Sequence, residues 1–153
     1  MTATNHSLTG ALIGLSIGNP VAAVGLAFVS HFVLDFLPHF GMGSRLDSGD
    51  ILTSRWFKML LMAEVVACFM VVATLYIQRP EQWWLACIAA FIAASPDLYS
   101  LPIFLQANGK IKQAKMNAFR RFHKGIQHEY TWGILVEMVW LAGCLTIFWK
   151  TLQ

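Results

Sequence analysis

Charged side chains are scarce in this chain of 153 residues. Only 12% of the residues are Asp, Glu, Lys or Arg, whereas 57% are hydrophobic. Soluble globular domains carry about 25% charged residues, and disordered chains combine high charge with little apolar surface. The shortage of charge therefore argues against an ordinary water-soluble domain and against disorder, and it favours an integral membrane protein.

Cysteine and early basic residues are scarce as well. The three cysteines, Cys68, Cys87 and Cys144, lie inside apolar runs and show no Cys-x-x-Cys spacing. This pattern predicts packing residues, and neither a disulfide framework nor a thiolate metal site. No Lys or Arg precedes Arg45, and because a cleaved signal peptide needs a basic amino-terminal region, none is predicted.

Apolar segments fill most of the chain and predict an all-α integral membrane protein. We expect a compact bundle of about five helices that forms one transmembrane domain over residues 1–153. The first and fourth segments are shorter than the roughly 20 residues that a full span needs, so they extend through polar flanks or cross half of the bilayer. The five segments are residues 7–17, 21–37, 56–77, 83–94 and 132–149.

The basic residues predict the orientation in the membrane. Six of the eleven Lys and Arg lie between Lys110 and Lys124, and such a basic stretch stays on the cytoplasmic side. Counting segments back from it places the 41–55 loop, with Arg45 and Arg55, on the same side. If all five segments span, the amino terminus is cytoplasmic too, and the basic stretch faces membrane lipid.

On this topology all five histidines fall at one membrane face. His31 and Asp35 are four residues apart and therefore share a helical face. Imidazole nitrogens and carboxylates suit Zn²⁺ or a similar divalent ion. A polar cluster at the lipid headgroups is the alternative. The residues at this face are His6, His31, Asp35, His39, Asp97, His123, His128 and Glu129.

Four of these positions allow more than one interpretation. Asp97, in Ser-Pro-Asp, is either a ligand or the cap of a turn, and His6 lies where a helix begins. His123 and His128 are five residues apart, which is off one helical face, unless Gly125 breaks the helix and lets both turn inward.

Two acids inside apolar segments, Glu64 and Glu137, are candidates for ligands, partners of histidine or a general base. The alternative is a protonated packing residue. Arg120 and Arg121 either bind phosphate through bidentate contacts or anchor the chain to anionic lipid.

Several of these residues lie in motifs that resemble those of a known family. They are His6 after Met1-Thr2-Ala3, the Ser-His-x-x-x-Asp of residues 30–35, the Pro-Asp of residues 96–97 and the two histidines of residues 123–128. Bacterial inner-membrane proteins described as membrane-bound metal-dependent hydrolases carry similar motifs. That family in turn resembles the all-helical zinc-dependent phospholipases C. The resemblance implies a multi-pass protein of the bacterial inner membrane with one or two Zn²⁺ ions.

The residues and the resemblance together predict a hydrolase that acts on a lipid or lipid-linked phosphoester at the cytoplasmic face. A metal-bound water would be the nucleophile, and Glu64, Glu129 or Glu137 would transfer protons. Arg120 and Arg121 would bind the phosphate. Because one zinc takes four ligands, the predicted pool allows two ions. The pool consists of His6, His31, Asp35, Asp97, His123 and His128.

Two other functions use the same residues differently. A metal-ion transporter or a non-catalytic metal-binding membrane protein would need the same ligands, with Glu64 and Glu137 as a path for ions. Alternatively, the basic 110–124 stretch docks a protein or nucleic acid. A membrane surface is the simpler partner for this stretch, so no nucleic acid is expected.

A cysteine introduced at Lys112 tests the predicted orientation. A membrane-impermeant maleimide should label the Lys112→Cys protein after cell lysis and leave it unlabelled in intact cells, because a basic loop stays cytoplasmic. The wild-type chain, whose cysteines lie in apolar segments, is the control. Labelling in intact cells would place the histidines on the outer face.

Overall fold

Helices occupy most of the chain in the computed structural model, which confirms the prediction of an all-α protein. The structure describes residues 1–40, 50–79, 81–113, 115 and 117–153, with the backbone alone described at 50 and 51. Arg45, used above for the orientation, lies outside these residues. The helices are α1 (Ala3–Ser16), α2 (Pro20–Phe36), α3 (Asp50–Thr53), α4 (Arg55–Gln78), α5 (Trp83–Ala94), α6 (Leu101–Ala107), α7 (Ala118–Ile126) and α8 (Ile134–Leu152).

Side-chain caps explain where several helices begin. The Asn19 side chain accepts a hydrogen bond from the Ala22 N–H at 3.1 Å at the start of α2, and Asn117 accepts one from the Arg120 N–H at 2.9 Å at the start of α7. Such caps satisfy backbone donors that have no partner within the helix. α2 ends because Leu37, which precedes Pro38, is forced into an extended conformation.

Three stretches of the described chain are long and apolar enough to cross a membrane. They are Arg55–Gln78, Trp83–Ala107 and Thr131–Leu152, and the second joins α5 and α6 through a 3₁₀ helix at Ser95–Ser100. α1 and α2 are shorter, with 14 and 17 residues. Large apolar side chains on α4 and α8, such as Phe69 and Val139, are exposed. A water-soluble protein rarely exposes so much apolar surface, and the arrangement is compatible with a membrane protein.

α1 packs closely against α5 because glycine residues of α1 face that helix. A Cβ atom on Gly10 would lie 2.4 Å from the Ala89 carbonyl oxygen, and one on Gly14 would lie 2.6 Å from the Ala86 Cα. Small residues four positions apart let two helix backbones approach closely. Within a membrane the hydrophobic effect does not hold helices together, and such close packing stabilises their contact instead. This contact fixes the position of α1 along its axis relative to α5.

A short parallel strand pair joins two loops at one end of the bundle. β1 (His39–Phe40) follows α2 and pairs with β2 (Glu129–Tyr130), with His39 opposite Glu129. A Cβ on Gly133 would lie 2.1 Å from the His39 carbonyl carbon, so only glycine fits there. The sequence did not predict these strands, because two residues are too few to show an alternating pattern.

Gly10→Ala tests the close contact of α1 with α5. The added methyl group meets backbone at Ala89, so the two helices must separate, and we expect a loss of about 1–3 kcal/mol in the free energy of unfolding. Gly143→Ala on α8 is the matched control, because a Cβ there meets nothing within 4 Å. Thermal unfolding in detergent measures both. Equal melting temperatures for wild type and Gly10→Ala would contradict the described packing.

Candidate metal centre

A buried carboxylate, that of Asp35, lies where three helices meet. Asp35 is near the end of α2 and has no exposed surface. Its Oδ2 atom lies 2.9 Å from Nε2 of His123 on α7 and 3.1 Å from Nε2 of His31, one turn earlier on α2. Its Oδ1 atom lies 3.1 Å from Nε2 of His6 on α1. A buried charge is costly unless it is paired and hydrogen-bonded, and here imidazoles surround it.

Four side chains place one ligand atom each around a common point. Among the described residues, His31, Asp35, Asp97 and His123 have donor atoms that all lie within 4.8 Å of one another. The two Nε2 atoms of the histidines are 2.8 Å apart, and Asp97 Oδ1 lies 3.7 and 3.9 Å from them. Ligands of a tetrahedral Zn²⁺ are about 3.4 Å apart, given metal–ligand distances of about 2.0–2.1 Å. This group could hold a metal ion.

The hydrogen bond of the His31 ring to a backbone carbonyl suits metal binding. Its Nδ1 atom lies 2.8 Å from the Ala93 carbonyl oxygen at the end of α5. A carbonyl only accepts hydrogen bonds, so Nδ1 carries a proton and Nε2 is the ring nitrogen that could bind a metal. Metal-binding histidines in proteins are commonly held in this way, with the second ring nitrogen bonded to a carbonyl or carboxylate.

His6 contacts the oxygen of Asp35 that points away from the other histidines. Its Nε2–H donates to Oδ1, its ring stacks on that of His31 with centroids 4.2 Å apart, and its side chain has no exposed surface. The amino group of Met1 reaches the same oxygen at 2.5 Å. The structure thus places His6 against Asp35 and outside the group of four.

Asp97 is the ligand candidate nearest to the surface. It lies in the 3₁₀ helix that continues α5, directly after Pro96, and its side chain is 35% exposed. His31, Asp35 and His123 have 0–4% of their side chains exposed. The group of four is therefore closed by protein on most sides and accessible beside Asp97.

His123 and His128 occupy different environments. Gly125 does not break α7, which ends one residue later at Ile126. His123 points inward from α7, whereas His128 follows the helix, is half-buried, and donates from Nδ1 to the Phe36 carbonyl at 2.9 Å. The structure does not bring His128 into the group of four.

Two of the three acids predicted to transfer protons hold the start of α1. The Glu64 carboxylate accepts hydrogen bonds from the N–H and the hydroxyl of Thr4, at 2.8 and 2.7 Å. The Glu137 carboxylate accepts from the Thr2 N–H at 3.3 Å and from the Phe40 N–H at 3.1 Å. Negative charge is stabilised at the amino terminus of a helix. Their catalytic role stays a prediction, as does that of Glu129, a half-buried residue in β2.

Arg120 borders an open groove that it forms with residues on either side of Asp97 in the chain. Its Nε–H donates to the Tyr99 carbonyl at 2.7 Å and its Nη1 donates to the Lys115 carbonyl. The groove has a volume of about 460 Å³ and is also lined by Ser95, Leu98 and Pro102. Arg121 lies next to Arg120 on α7 and is exposed.

Some contacts of the site involve residues that sequence reasoning missed. The Gln127 amide donates to Asp35 Oδ2 at 3.4 Å, and the Ala93 carbonyl orients His31. Gln127 lies between the two histidines of the 123–128 motif, which was the only available signal. A backbone carbonyl leaves no mark in a sequence, so the role of Ala93 could not be predicted.

Comparisons of the chain with known protein families, with curated proteins and with solved structures find no match. The resemblance to membrane-bound metal-dependent hydrolases therefore stays a prediction.

Removing single ligands tests the metal centre. His31→Ala, Asp35→Asn and His123→Ala should each lower the metal content of detergent-purified protein and its melting temperature, because each removes a bond to the ion and leaves buried polar partners. A chelator should lower the melting temperature of wild type in the same way.

The matched control is His128→Ala, which removes a histidine outside the group of four and should retain the metal. Wild-type protein that contains no divalent metal after purification, and that does not bind added Zn²⁺, Mn²⁺ or Fe²⁺, would contradict the metal centre. A loss of metal in His128→Ala equal to that in His31→Ala would contradict the four-residue assignment.

Proposed function

We propose that this protein is a membrane-embedded metal-dependent hydrolase that cleaves a lipid or lipid-linked phosphoester at the cytoplasmic face of the bacterial inner membrane. The observation that carries the proposal is the group formed by His31, Asp35, Asp97 and His123, whose donor atoms lie within 4.8 Å of one another. We propose one ion, preferentially Zn²⁺, because two imidazoles and two carboxylates suit this metal in a tetrahedral site.

An accessible side distinguishes a catalytic site from a purely structural one. Structural zinc sites are closed by four protein ligands, whereas catalytic sites keep one position for water or substrate. Asp97 is partly exposed and its Oδ1 is the most distant of the four ligand atoms. Because zinc can take a fifth ligand, a water bound to the ion beside Asp97 would meet a substrate from the groove at Arg120.

The proposed reaction is the hydrolysis of a phosphoester. The ion would acidify its bound water, the water oxygen would bond to phosphorus, and the bond from phosphorus to the alcohol oxygen would break. The proton released by the water would end on the departing alcohol. The Arg120 guanidinium, which has five N–H donors, uses two of them on carbonyls and would turn others toward the phosphate.

The lining of the groove at Arg120 favours an amphiphilic substrate. Leu98, Tyr99 and Pro102 give it apolar walls, and Arg120 gives it one cation. A lipid phosphoester has the matching chemistry, with an anionic phosphate joined to an apolar tail. A free, strongly hydrated metabolite would gain little from the apolar walls.

A transporter is the second candidate, and two contacts weigh against it. An ion path through the apolar segments would use Glu64 and Glu137, but both carboxylates accept backbone N–H groups at the start of α1. An ion passing these carboxylates would have to break those bonds. A non-catalytic metal protein would share the site and differ only in turnover.

Turnover by the metal-loaded protein tests the proposal. Purified protein reconstituted with Zn²⁺ should release a phosphorylated headgroup or inorganic phosphate from a panel of bacterial phospholipids, detected by phosphorus NMR. Asp97→Asn should lower kcat at least about 100-fold, because the geometry of the metal-bound water depends on this position. Lys150→Gln in the last turn of α8 is the comparison variant.

The outcomes separate the candidate functions. Metal-bound wild type without turnover on any lipid would favour a non-catalytic metal protein. Equal turnover by wild type and Asp97→Asn would show that the activity comes from a contaminant or from another site.

A further inference from the structure

We infer that α7 binds an anionic phospholipid at its outer face, and that this contact holds His123 in the metal centre. The inference rests on the metal centre proposed above and adds a ligand that regulates it. The lipid would place its charged headgroup beside Arg121 and its acyl chain in the groove between α2 and α7. This groove is distinct from the one at Arg120.

α7 is too short to be a stable helix without outside contacts. It has nine residues, and isolated helices of fewer than about 12–15 residues are marginal in water. Its inner face packs through His123, which is buried, and through Phe119, whose ring contacts Phe32 at a centroid distance of 6.2 Å. The position of His123 therefore depends on what stabilises this helix.

The outer face of α7 combines cations with an exposed aromatic ring. Arg121 is exposed, and Phe122 beside it has 54% of its surface exposed. The 110–124 stretch contains six Lys and Arg and no Asp or Glu. Basic residues next to exposed aromatic residues are typical of helices that lie in the interface of anionic membranes.

An apolar groove lies beside Phe122, the neighbour of Arg121 in the sequence. It has a volume of about 290 Å³ and is lined by residues of α2 and α7 alone, among them Val29, Val33, Phe122 and Ile126. An acyl chain in this groove would contact both helices at once. Anionic lipid matches the groove and the cations together, whereas a nucleic acid matches only the cations.

The metal centre would respond to this contact because α7 supplies one of its ligands. His123 Nε2 lies 2.9 Å from Asp35 Oδ2 and 2.8 Å from His31 Nε2. A displacement of α7 by one or two ångströms would break both contacts. A lipid that favours the seated position of α7 must therefore raise metal affinity, and metal must raise lipid affinity by the same factor.

Co²⁺ binding to the full-length protein in nanodiscs tests the inference, with visible absorption as the readout. The discs contain phosphatidylcholine alone or phosphatidylcholine with phosphatidylglycerol. We expect wild type to bind Co²⁺ about tenfold more tightly in the anionic discs. Arg121→Gln should lose most of this gain, and Lys150→Gln in the last turn of α8 should keep it.

The variants separate lipid coupling from simple charge effects. Anionic discs attract Co²⁺ to their surface equally for all variants, so the variants are compared within the same discs. Removing the Arg121 cation would by itself favour Co²⁺ binding, whereas the lipid contact predicts weaker binding. The sign of the change in Kd thus discriminates between the two effects.

Equal Co²⁺ affinity of wild type in both discs would overturn the inference and leave the metal centre intact. A gain that Arg121→Gln retains would also overturn it. The outer face of α7 would be assigned to nucleic acid instead if the two Co²⁺ affinities were equal, the protein bound a duplex oligonucleotide, and Arg121→Gln abolished that binding. Absence of Co²⁺ binding in either disc would contradict the metal centre itself.

Discussion

The carboxylate of Asp35 connects the parts of this protein that carry its candidate chemistry. It is fully buried in an apolar bundle, where an uncompensated charge would cost several kcal/mol. One oxygen meets His31 and His123, and the other meets His6. These residues come from α2, α7 and α1, so the need to compensate one charge draws three helices together. Together with Asp97, the residues His31, Asp35 and His123 could hold a metal ion.

The other contacts of α1 keep this cluster in place. Gly10 and Gly14 bring α1 so close to α5 that no side chain fits between them. Glu64 and Glu137 accept the N–H groups at the start of α1, next to His6. Packing thus fixes the position of α1 along its axis, and the two carboxylates hold its amino-terminal end in place. The acids inside the apolar segments therefore have a structural explanation that requires no ion path.

The helices were predictable from the sequence because long apolar runs leave few other structures possible. Four of the five predicted segments match α1, α2, α4 and α5 with ends that differ by at most four residues, and the fifth matches α8 with a 3₁₀ turn before it. Caps and prolines, such as Asn19 and Pro38, mark the ends by local chemistry. The strand pair and the course of α7 depend on contacts between distant segments, and local patterns do not reveal those.

The candidate site was predictable in part, for the same reason. The i, i+4 spacing placed His31 and Asp35 on one face, and their Nε2 and Oδ2 atoms lie 3.1 Å apart. Which further residues complete the group depends on how the segments pack. His6 and His128 have the same ligand chemistry as His123. Of these three histidines, only His123 has a ring nitrogen close to His31, Asp35 and Asp97 together. No spacing within one segment could distinguish these three histidines.

X-ray absorption at the zinc K-edge of the purified, zinc-loaded protein tests the central claim most directly, because it reports the atoms bound to the ion. Ligation by His31, Asp35, Asp97 and His123 predicts two imidazole nitrogens at about 2.0 Å and oxygen ligands at about 2.0–2.2 Å, without sulfur. His123→Ala should reduce the imidazole scattering to that of one ring. A spectrum without imidazole, or with sulfur at about 2.3 Å, would contradict the account.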